Sequence, residues 1–599
     1  MRRSLPAVLA VLAVLVWTPL ASRQSALGAT AEDAGVPSKD GLVVCTSAPA
    51  CDAGAAILAS GGNAVDAAVA TAFALAVTHP SAGNIGGGGF MVVRSAGGAV
   101  TTFDYREKAP GKATRTMYMR DGKVVPALTS EGYLAPGVPG TVRGLALAHK
   151  RFGRLPWKDV VMPAVLLAED GFVLSAALAR SLNGQLFPNE REDGSTTGGV
   201  MARYPASKEA YGKPGGEKWA GGDRLVLKDL GRTLRAIATG GPDVFYTGWI
   251  ADRIAEDMAA NGGLITKKDL AAYRAKERAP VTGTFRGYDI ASMPPPSSGG
   301  VALIEMLNIL EAYDLKSKGA GSADATHLEI EAMRRAFLDR ARFLGDPDFV
   351  KVPLPSLLSK PHAREIASTI RADKASSSVE LGKDIVTAQP AQEPDETTHF
   401  SVIDRDGMAV SNTYTLEGGY GSRVVVKGAG FILNNEMGDF NKNPGVTLPD
   451  GTIGTPANLI DPGKRMLSSM TPAIVSRNGK VVLITGSPGG RTIINTVFTV
   501  VLNVTEFGMN ARQAVDAPRM HHQWLPDTVT FERNRLPEEL KQKLQALGHT
   551  VKEGAALQGD ANSILIDAEG TAWGAADSRS ADGKASPAGA RLTSTAPGK

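Results

Sequence analysis

Two hydrophobic periods alternate along this chain. From Gly62 to Ala76 (GNAVDAAVATAFALA) small apolar residues recur at helical spacing, and Ile330, Met333, Phe337 and Leu344 repeat that spacing later. Such stripes predict helices that need a surface to cover them. Thr266-Lys-Lys-Asp269 ahead of LAAY reads as a capping box, and residues 150 to 370 read as largely helical. Elsewhere the period drops to that of strands. MVVRSAGGAVTTFDY turns at Gly97-Gly98, FSVIDRDGMAVSNTYTL at Asp406-Gly407, PAIVSRNGKVVLITG at Asn478-Gly479 and SILIDAEGTAWGA at Glu569-Gly570. Each sets strand residues around a tight-turn dipeptide and predicts a hairpin. Hairpins and helices in separate segments predict an α+β chain, layered αββα, rather than a doubly wound parallel sheet.

The pattern fails in three places. Met1-Arg2-Arg3 is basic and Leu5 to Val16 almost wholly apolar, about a dozen residues where a bilayer span needs roughly 20. This predicts a cleaved export signal over 1–28, with Ala26 and Gly28 at the small-residue positions and Ala29 as the mature start. The protein is thus expected to be exported, periplasmic or secreted, without a stable membrane anchor. Lys374 to Glu396 (KASSSVELGKDIVTAQPAQEPDE) is polar, punctuated by proline and poor in large apolar residues, which predicts an exposed, protease-accessible linker. The tail past Asp577, rich in Ser, Ala, Gly and Pro, is predicted to be disordered over 582–599.

Composition narrows the function. The 599 residues carry 65 Lys+Arg against 61 Asp+Glu, a net charge of +4. No basic footprint for nucleic acid emerges, and no fixed repeat points to a solenoid. The two cysteines, Cys45 and Cys51, have no nearby histidine ligands and make no zinc site. Export permits a bridge between them without requiring one. No metal spacing and no cofactor motif appear elsewhere.

The linker ends at Thr397, where a hairpin strand begins. A threonine hydroxyl in mid-chain is a weak nucleophile, but cutting the bond before it frees an α-amino group with an ordinary pKa near 7.7–8.0 as an attached base. Thr-Thr pairs also occur at 101–102 and 196–197, so the pair alone says little. A strand followed by TGSPGG (Thr485 to Gly490) could supply backbone N–H groups to a developing oxyanion, although such a run is also an ordinary glycine turn. It is not a serine-hydrolase elbow, since Thr485 stands at the first glycine of GxSxG.

TTHFSVID at 397–404, NAVDAAVA at 63–70, THPSAGNIGGGGFMVVR at 78–94, DYREKAP at 104–110, MPPPSSGG at 293–300, LGDPDFVKVP at 344–353, KRMLSSMTPAIV at 464–475, LITGSPGG at 483–490 and APRMHHQWLPD at 517–527 together closely resemble the γ-glutamyltransferases, or glutathione hydrolase proenzymes. The resemblance runs from about residue 40 to about 580. It implies a four-layer αββα sandwich of the N-terminal-nucleophile hydrolase type and a precursor that cuts itself at Glu396–Thr397. Subunits 29–396 and 397–599 would then stay together as a heterodimer. It implies that Thr397 attacks the γ-glutamyl amide of glutathione, and that the acyl-enzyme passes to water or to an amino-acid or peptide acceptor.

By the same resemblance, Arg106 grips the substrate α-carboxylate, for which a planar fork is the right tool, together with Ser468 and Ser469. Asp439 pairs with the α-ammonium, Gly489 and Gly490 form the oxyanion hole, and Thr415 orients the nucleophile. His399 and His521-His522 are read as structural. Two departures stand out. Glu417 replaces an asparagine and Glu436 a glutamine found in many bacterial members, which puts three carboxylates near one ammonium and favours γ-glutamyl over glutaryl donors. Asp450 stands where well-known bacterial relatives carry a gating aromatic, which suggests a balance leaning to hydrolysis. The rival reading is a secreted acylase of the same superfamily acting on glutaryl-cephalosporins or poly-γ-glutamate; a dead binding protein would be expected to have lost Thr397, Thr415 or the paired glycines.

Overall fold

The computed structural model describes residues 34–190, 195–385, 397–446 and 455–589. Two seven-stranded antiparallel sheets form its centre. In spatial order the first holds β5 (Lys276–Arg278), β4 (Val100–Asp104), β3 (Gly88–Arg94), β9 (Ala409–Thr415), β8 (Thr398–Asp404), β2 (Gly41–Cys45) and β14 (Lys584–Pro587). The second holds β1 (Val36–Ser38), β13 (Ala572–Ala575), β12 (Ser563–Ile566), β11 (Lys480–Thr485), β10 (Ala473–Arg477), β7 (Tyr288–Ser292) and β6 (Val281–Phe285).

Strand alternation builds the layers. In β2, Leu42 and Val44 face the opposite sheet while Val43 and Cys45 join the outer helical core, and in β8 Ile403 faces inward while Phe400 and Val402 face outward. Ile474, Ile484 and Ile564 of the second sheet meet Leu42, Val44, Val92 and Ile403 between the sheets. One residue of slip would exchange these faces. Helices α1 (Ala48–Ala59) and α2 (Ala64–Thr78) cover the first sheet. Helices α3 (Gly299–Leu310), α4 (Ala323–Phe343), α5 (Lys360–Ser368) and α6 (Thr492–Thr505) build the layer on the second. The result is the αββα sandwich.

All four expected hairpins form. So do the helix over α2, capped by Asn63, and the capping box at Thr266. A fifth hairpin, β6–β7, lies inside the stretch whose pattern reads as helical. It turns at Arg286-Gly287, both at positive φ, and an arginine there carries none of the usual Asn-Gly signal. Cys45 and Cys51 are bridged, their Cα atoms 5.7 Å apart.

Two expectations need correction. Disorder from residue 582 does not hold, because β14 pairs with Leu42–Cys45 and both Lys584 Nζ and Ser586 Oγ reach Asp52 Oδ1 at 2.7 Å. A strand added to a sheet edge is held by backbone bonds and needs no apolar composition. Nor is the start of the linker loose. Ser378 N donates to Asp527 Oδ2 at 2.8 Å, Trp524 Nε1 donates to Ser378 O at 2.8 Å, and Ser376 N donates to Glu331 Oε1 at 3.1 Å. Polar side chains dock the segment where apolar ones were sought. The expected signal at 1–28, the linker remainder 386–396, Asp450 and the tail from 590 lie outside the described residues. Among those described, no helix is long and apolar enough to cross a membrane.

Buried titratable groups pull stability in opposite directions with pH. Burial first of all holds His79, His521 and His522 down to about 4 and His399 and His549 down to about 3. The unfolded chain therefore takes up these protons below pH 6.5 and the fold loses stability. Burial likewise pushes Glu107 up to about 7 and Glu329 up to about 8, so these carboxyls gain stability as pH falls, until about 4.5. Burial would also raise Glu331, but Arg334 and Arg335 outweigh it and hold it at about 2; its contribution is lost below 4.5. Five histidines oppose two raised carboxyls, so the melting temperature is expected to decline from about pH 6.5 and to fall more steeply below about 4.5, where the carboxyl gain ends and the Glu331 loss begins. A melting temperature that holds between pH 4.5 and 3.5 would contradict this balance.

Candidate active site

Register brings the two predicted threonines together. Thr398 pairs with Tyr414 across β8 and β9, so Thr397, just before one strand, and Thr415, at the end of the other, share one end of the first sheet. Both line a single pocket, and Thr397 is 6% exposed. Thr415 is fixed at both ends: its Oγ1 accepts from Glu417 N and its carbonyl from Asn84 Nδ2, each at 2.8 Å. Thr398, the other half of the pair, turns to the helical side and shares a 2.8 Å hydroxyl hydrogen bond with Thr46.

The far wall is ionic. Arg106 follows β4 and is fully buried. Its Nη1 donates to Glu436 Oε1 and its Nη2 to Asp439 Oδ2, both carboxylates lying on the short 3-10 turn Glu436–Asp439. Nη2 also donates to Leu467 O at 3.2 Å and Nε to Met466 O at 3.3 Å, while Glu107 stands 3.8 Å from Nη1. Burial disfavours the guanidinium charge, but Glu436, Asp439 and Glu107 outweigh it and raise its pKa. Burial pushes Glu436 well above the usual carboxylate range, with Glu107, Asp439 and Glu417 adding to the effect and Arg106 opposing it. Glu417 does not turn away: it lines the pocket at φ 79° and its Oε2 accepts from Asn435 Nδ2.

Two clasped loops form the third wall. Ser468 N donates to Pro296 O at 2.9 Å, and Ser468 O accepts from Ser298 Oγ at 2.6 Å; KRMLSSM and MPPPSSGG are thereby locked together. Arg340 of α4 donates to Ser298 Oγ at 2.9 Å and to Ser469 Oγ at 3.1 Å. Behind them Arg465 and Arg278 hold Asp104, at 3.1 and 2.8 Å, which anchors DYREKAP and with it Arg106. Opposite, the glycine turn leads into α6. Gly489 has φ +126°, and a Cβ there would lie 2.5 Å from Thr492 Oγ1, so only glycine fits. Gly490 lines the pocket beside Thr397.

Nine of the predicted residues therefore meet at this pocket: Arg106, Thr397, Thr415, Glu417, Glu436, Asp439, Ser468, Ser469 and Gly490. Gly489 stands one residue behind the wall, and Glu396 lies outside the described residues. Arg340 and Arg491, both in the lining, were missed. Arg491 directly follows the glycine pair and adjacency could have found it; Arg340 is one of several arginines on a long helix and carried no signal. His399 is buried between the sheets, within 2.9 Å of Thr413 Oγ1 and 3.1 Å of Ser401 Oγ. Its depressed pKa and its absence from the pocket lining fit the structural role expected of it. His521 bonds with Asn495 and Gln523, and His522 with Asp527, again as packing.

A family model described as Gamma-glutamyltranspeptidase matches residues 50–587. The chain is 47% identical over 548 residues to the glutathione hydrolase proenzyme of Escherichia coli (strain K12), spanning 91% of this chain and 92% of that one. It is 38% identical over 545 residues to the acylase ACY 1 proenzyme of Pseudomonas sp. (strain SE83), spanning 90% and 91%. The crystal structure of cephalosporin acylase from Bacillus halodurans superimposes with a TM-score of 0.79 at 27% identity, over 96% of this chain and 99% of that one.

Proposed function

The chain belongs to the gamma-glutamyltranspeptidase family, and from that premise we propose that it is an exported, self-processing γ-glutamyl hydrolase and transferase acting on glutathione and related donors. The observation that carries this reading is one pocket that holds Thr397 and Thr415 together with a buried, paired set of opposite charges.

In the precursor the Thr397 hydroxyl attacks the Glu396 carbonyl, the acyl group moves from nitrogen to oxygen, and water releases subunits 29–396 and 397–599. The new α-amino group then serves as the base for the same hydroxyl. Arg106, helped by Ser468 and Ser469, takes the α-carboxylate of the donor, and Asp439, Glu436 and Glu417 take its α-ammonium. A zwitterionic head suits this wall because, as it replaces the internal Arg106–Glu436–Asp439 pairing, it gives each of these groups a new partner of opposite charge. Thr397 attacks the γ-carbonyl. Backbone N–H groups of Gly489 and Gly490, at the positive end of α6, receive the oxyanion. The amine leaves, and water or an amino-acid or peptide acceptor takes the γ-glutamyl group. None of these steps calls for a cofactor. The basic, apolar start of the chain supports release into the periplasm or the medium.

Donor choice tests the reading against that of a glutaryl acylase. A glutaryl donor lacks the ammonium and brings one uncompensated negative charge to Glu417, Glu436 and Asp439. The expected kcat/KM for γ-glutamyl-p-nitroanilide exceeds that for glutaryl-p-nitroanilide by about a hundredfold or more. Equal rates on the two anilides would favour the acylase.

A further inference from the structure

Among the described residues two groups of three side chains have the donors and spacing to hold a metal ion, and neither includes a residue lining the pocket. The first, His327, Glu331 and His549, is already supplied with positive charge. Arg334 and Arg335 bond the Glu331 carboxylate at 3.2 and 2.6 Å, and Arg334 Nη2 stands 3.5 Å from His549 Nδ1.

The second group differs. Glu305 of α3, Asp339 of α4 and His362 of α5 each offer one ligand atom, all within 4.8 Å of one another. His362 Nε2 stands 3.2 Å from Asp339 Oδ2, while Arg342 Nη1 approaches the other oxygen, Oδ1, at 3.6 Å. Glu305 is only 1% exposed, and its Oε1 has no hydrogen-bond partner. One turn along α3, Asn308 Oδ1 is a second buried acceptor without a donor, although its amide nitrogen bonds Leu358 O at 3.1 Å. Orphaned acceptors this deep are costly, and those at this end of α3 are both acceptors, the kind of group that a cation satisfies.

We propose that Glu305, Asp339 and His362 form a binding site for a divalent transition-metal ion of the zinc class, separate from the active site. One nitrogen and two carboxylate oxygens match the donors of zinc, whereas calcium and magnesium favour all-oxygen sets. The His362 side chain is 27% exposed and gives the ion and a completing water a way in from solvent. The ion joins three helices of the outer layer. One of them, α4, carries Arg340 into the pocket one residue after Asp339, so the site steadies the helix that positions Ser298 and Ser469.

The test uses the full-length, self-processed protein stripped with a chelator and titrated with ZnCl2 against a chromophoric competitor, with melting temperature read in parallel. Expected are one equivalent of Zn2+ per heterodimer, a Kd below about 1 μM, and a rise in Tm of a few degrees at saturation. The isosteric variant Glu305→Gln and the exposed-side variant His362→Ala are each expected to lose that equivalent and that rise. Two results would overturn the site: wild-type protein that takes up no stoichiometric Zn2+, or folded variants that both still bind as wild type does.

Discussion

Thr397→Ala is expected to leave the protein as one uncut chain on a denaturing gel, whereas wild type gives two bands, the smaller beginning Thr-Thr-His-Phe. Turnover of γ-glutamyl-p-nitroanilide should fall by about 10⁴-fold or more, the scale seen when a covalent nucleophile is removed. Among the described residues the pocket hydroxyls are already engaged. Thr415 Oγ1 is bound by Glu417 N, Ser468 Oγ accepts from Met470 N, and Ser469 Oγ accepts from Arg340. Thr398 faces the helices and bonds Thr46. None of them would gain an α-amino group when the chain is cut. The substitution removes one small polar group beside a rigid strand, so the melting temperature should change little, and a folded but inert precursor is the outcome to look for. Thr397→Ser keeps the hydroxyl and should recover both cutting and turnover in part. An alanine variant that is still cut between 396 and 397 would assign the chemistry to another group.

The sequence was legible where local chemistry decides structure. Tight-turn dipeptides marked four hairpins, Thr266 marked a helix start, and the family resemblance, with the departures at Glu417 and Glu436, supplied the predicted pocket residues. What escaped it depends on partners far along the chain. β14 is a strand only because β2 offers an open edge, and Ser376 and Ser378 are anchored only because Glu331, Trp524 and Asp527 converge on them. Arg340 enters the pocket through the crossing of α4 with the loops at Ser298 and Ser469, which no spacing along the chain encodes. The pairing of Arg106 with Glu436 and Asp439 was equally invisible. Read singly, these residues are ligands for opposite ends of a substrate; in the structure they are partners of each other.

That pairing sets the second large effect. Arg106→Gln removes the only cation bonded to Glu436 and Asp439 among the hydrogen bonds described, and with it the fork proposed to hold the donor carboxylate. Two consequences should separate. Leaving a buried carboxylate without its partner costs about 3–5 kcal/mol when the charge persists, but Glu436 and Glu107 are both already raised by burial and can each keep a proton, so the loss of stability should be smaller near pH 6 than near pH 8. The loss of donor binding has no such escape, and kcat/KM should fall by about 10³-fold at either pH. Arg106→Lys should recover stability better than activity, since an ammonium restores the charge but not two parallel N–H bonds. Self-cutting supplies the control, because the Glu396–Thr397 bond is attacked by Thr397 without a donor head in the pocket. Arg106→Gln protein should therefore still resolve into two bands while failing on γ-glutamyl substrates. Should it remain uncut as well, Arg106 would be needed to place the nucleophile; should kcat/KM stay within tenfold of wild type, another group, with Arg340 the nearest candidate beside Ser469, would hold the carboxylate.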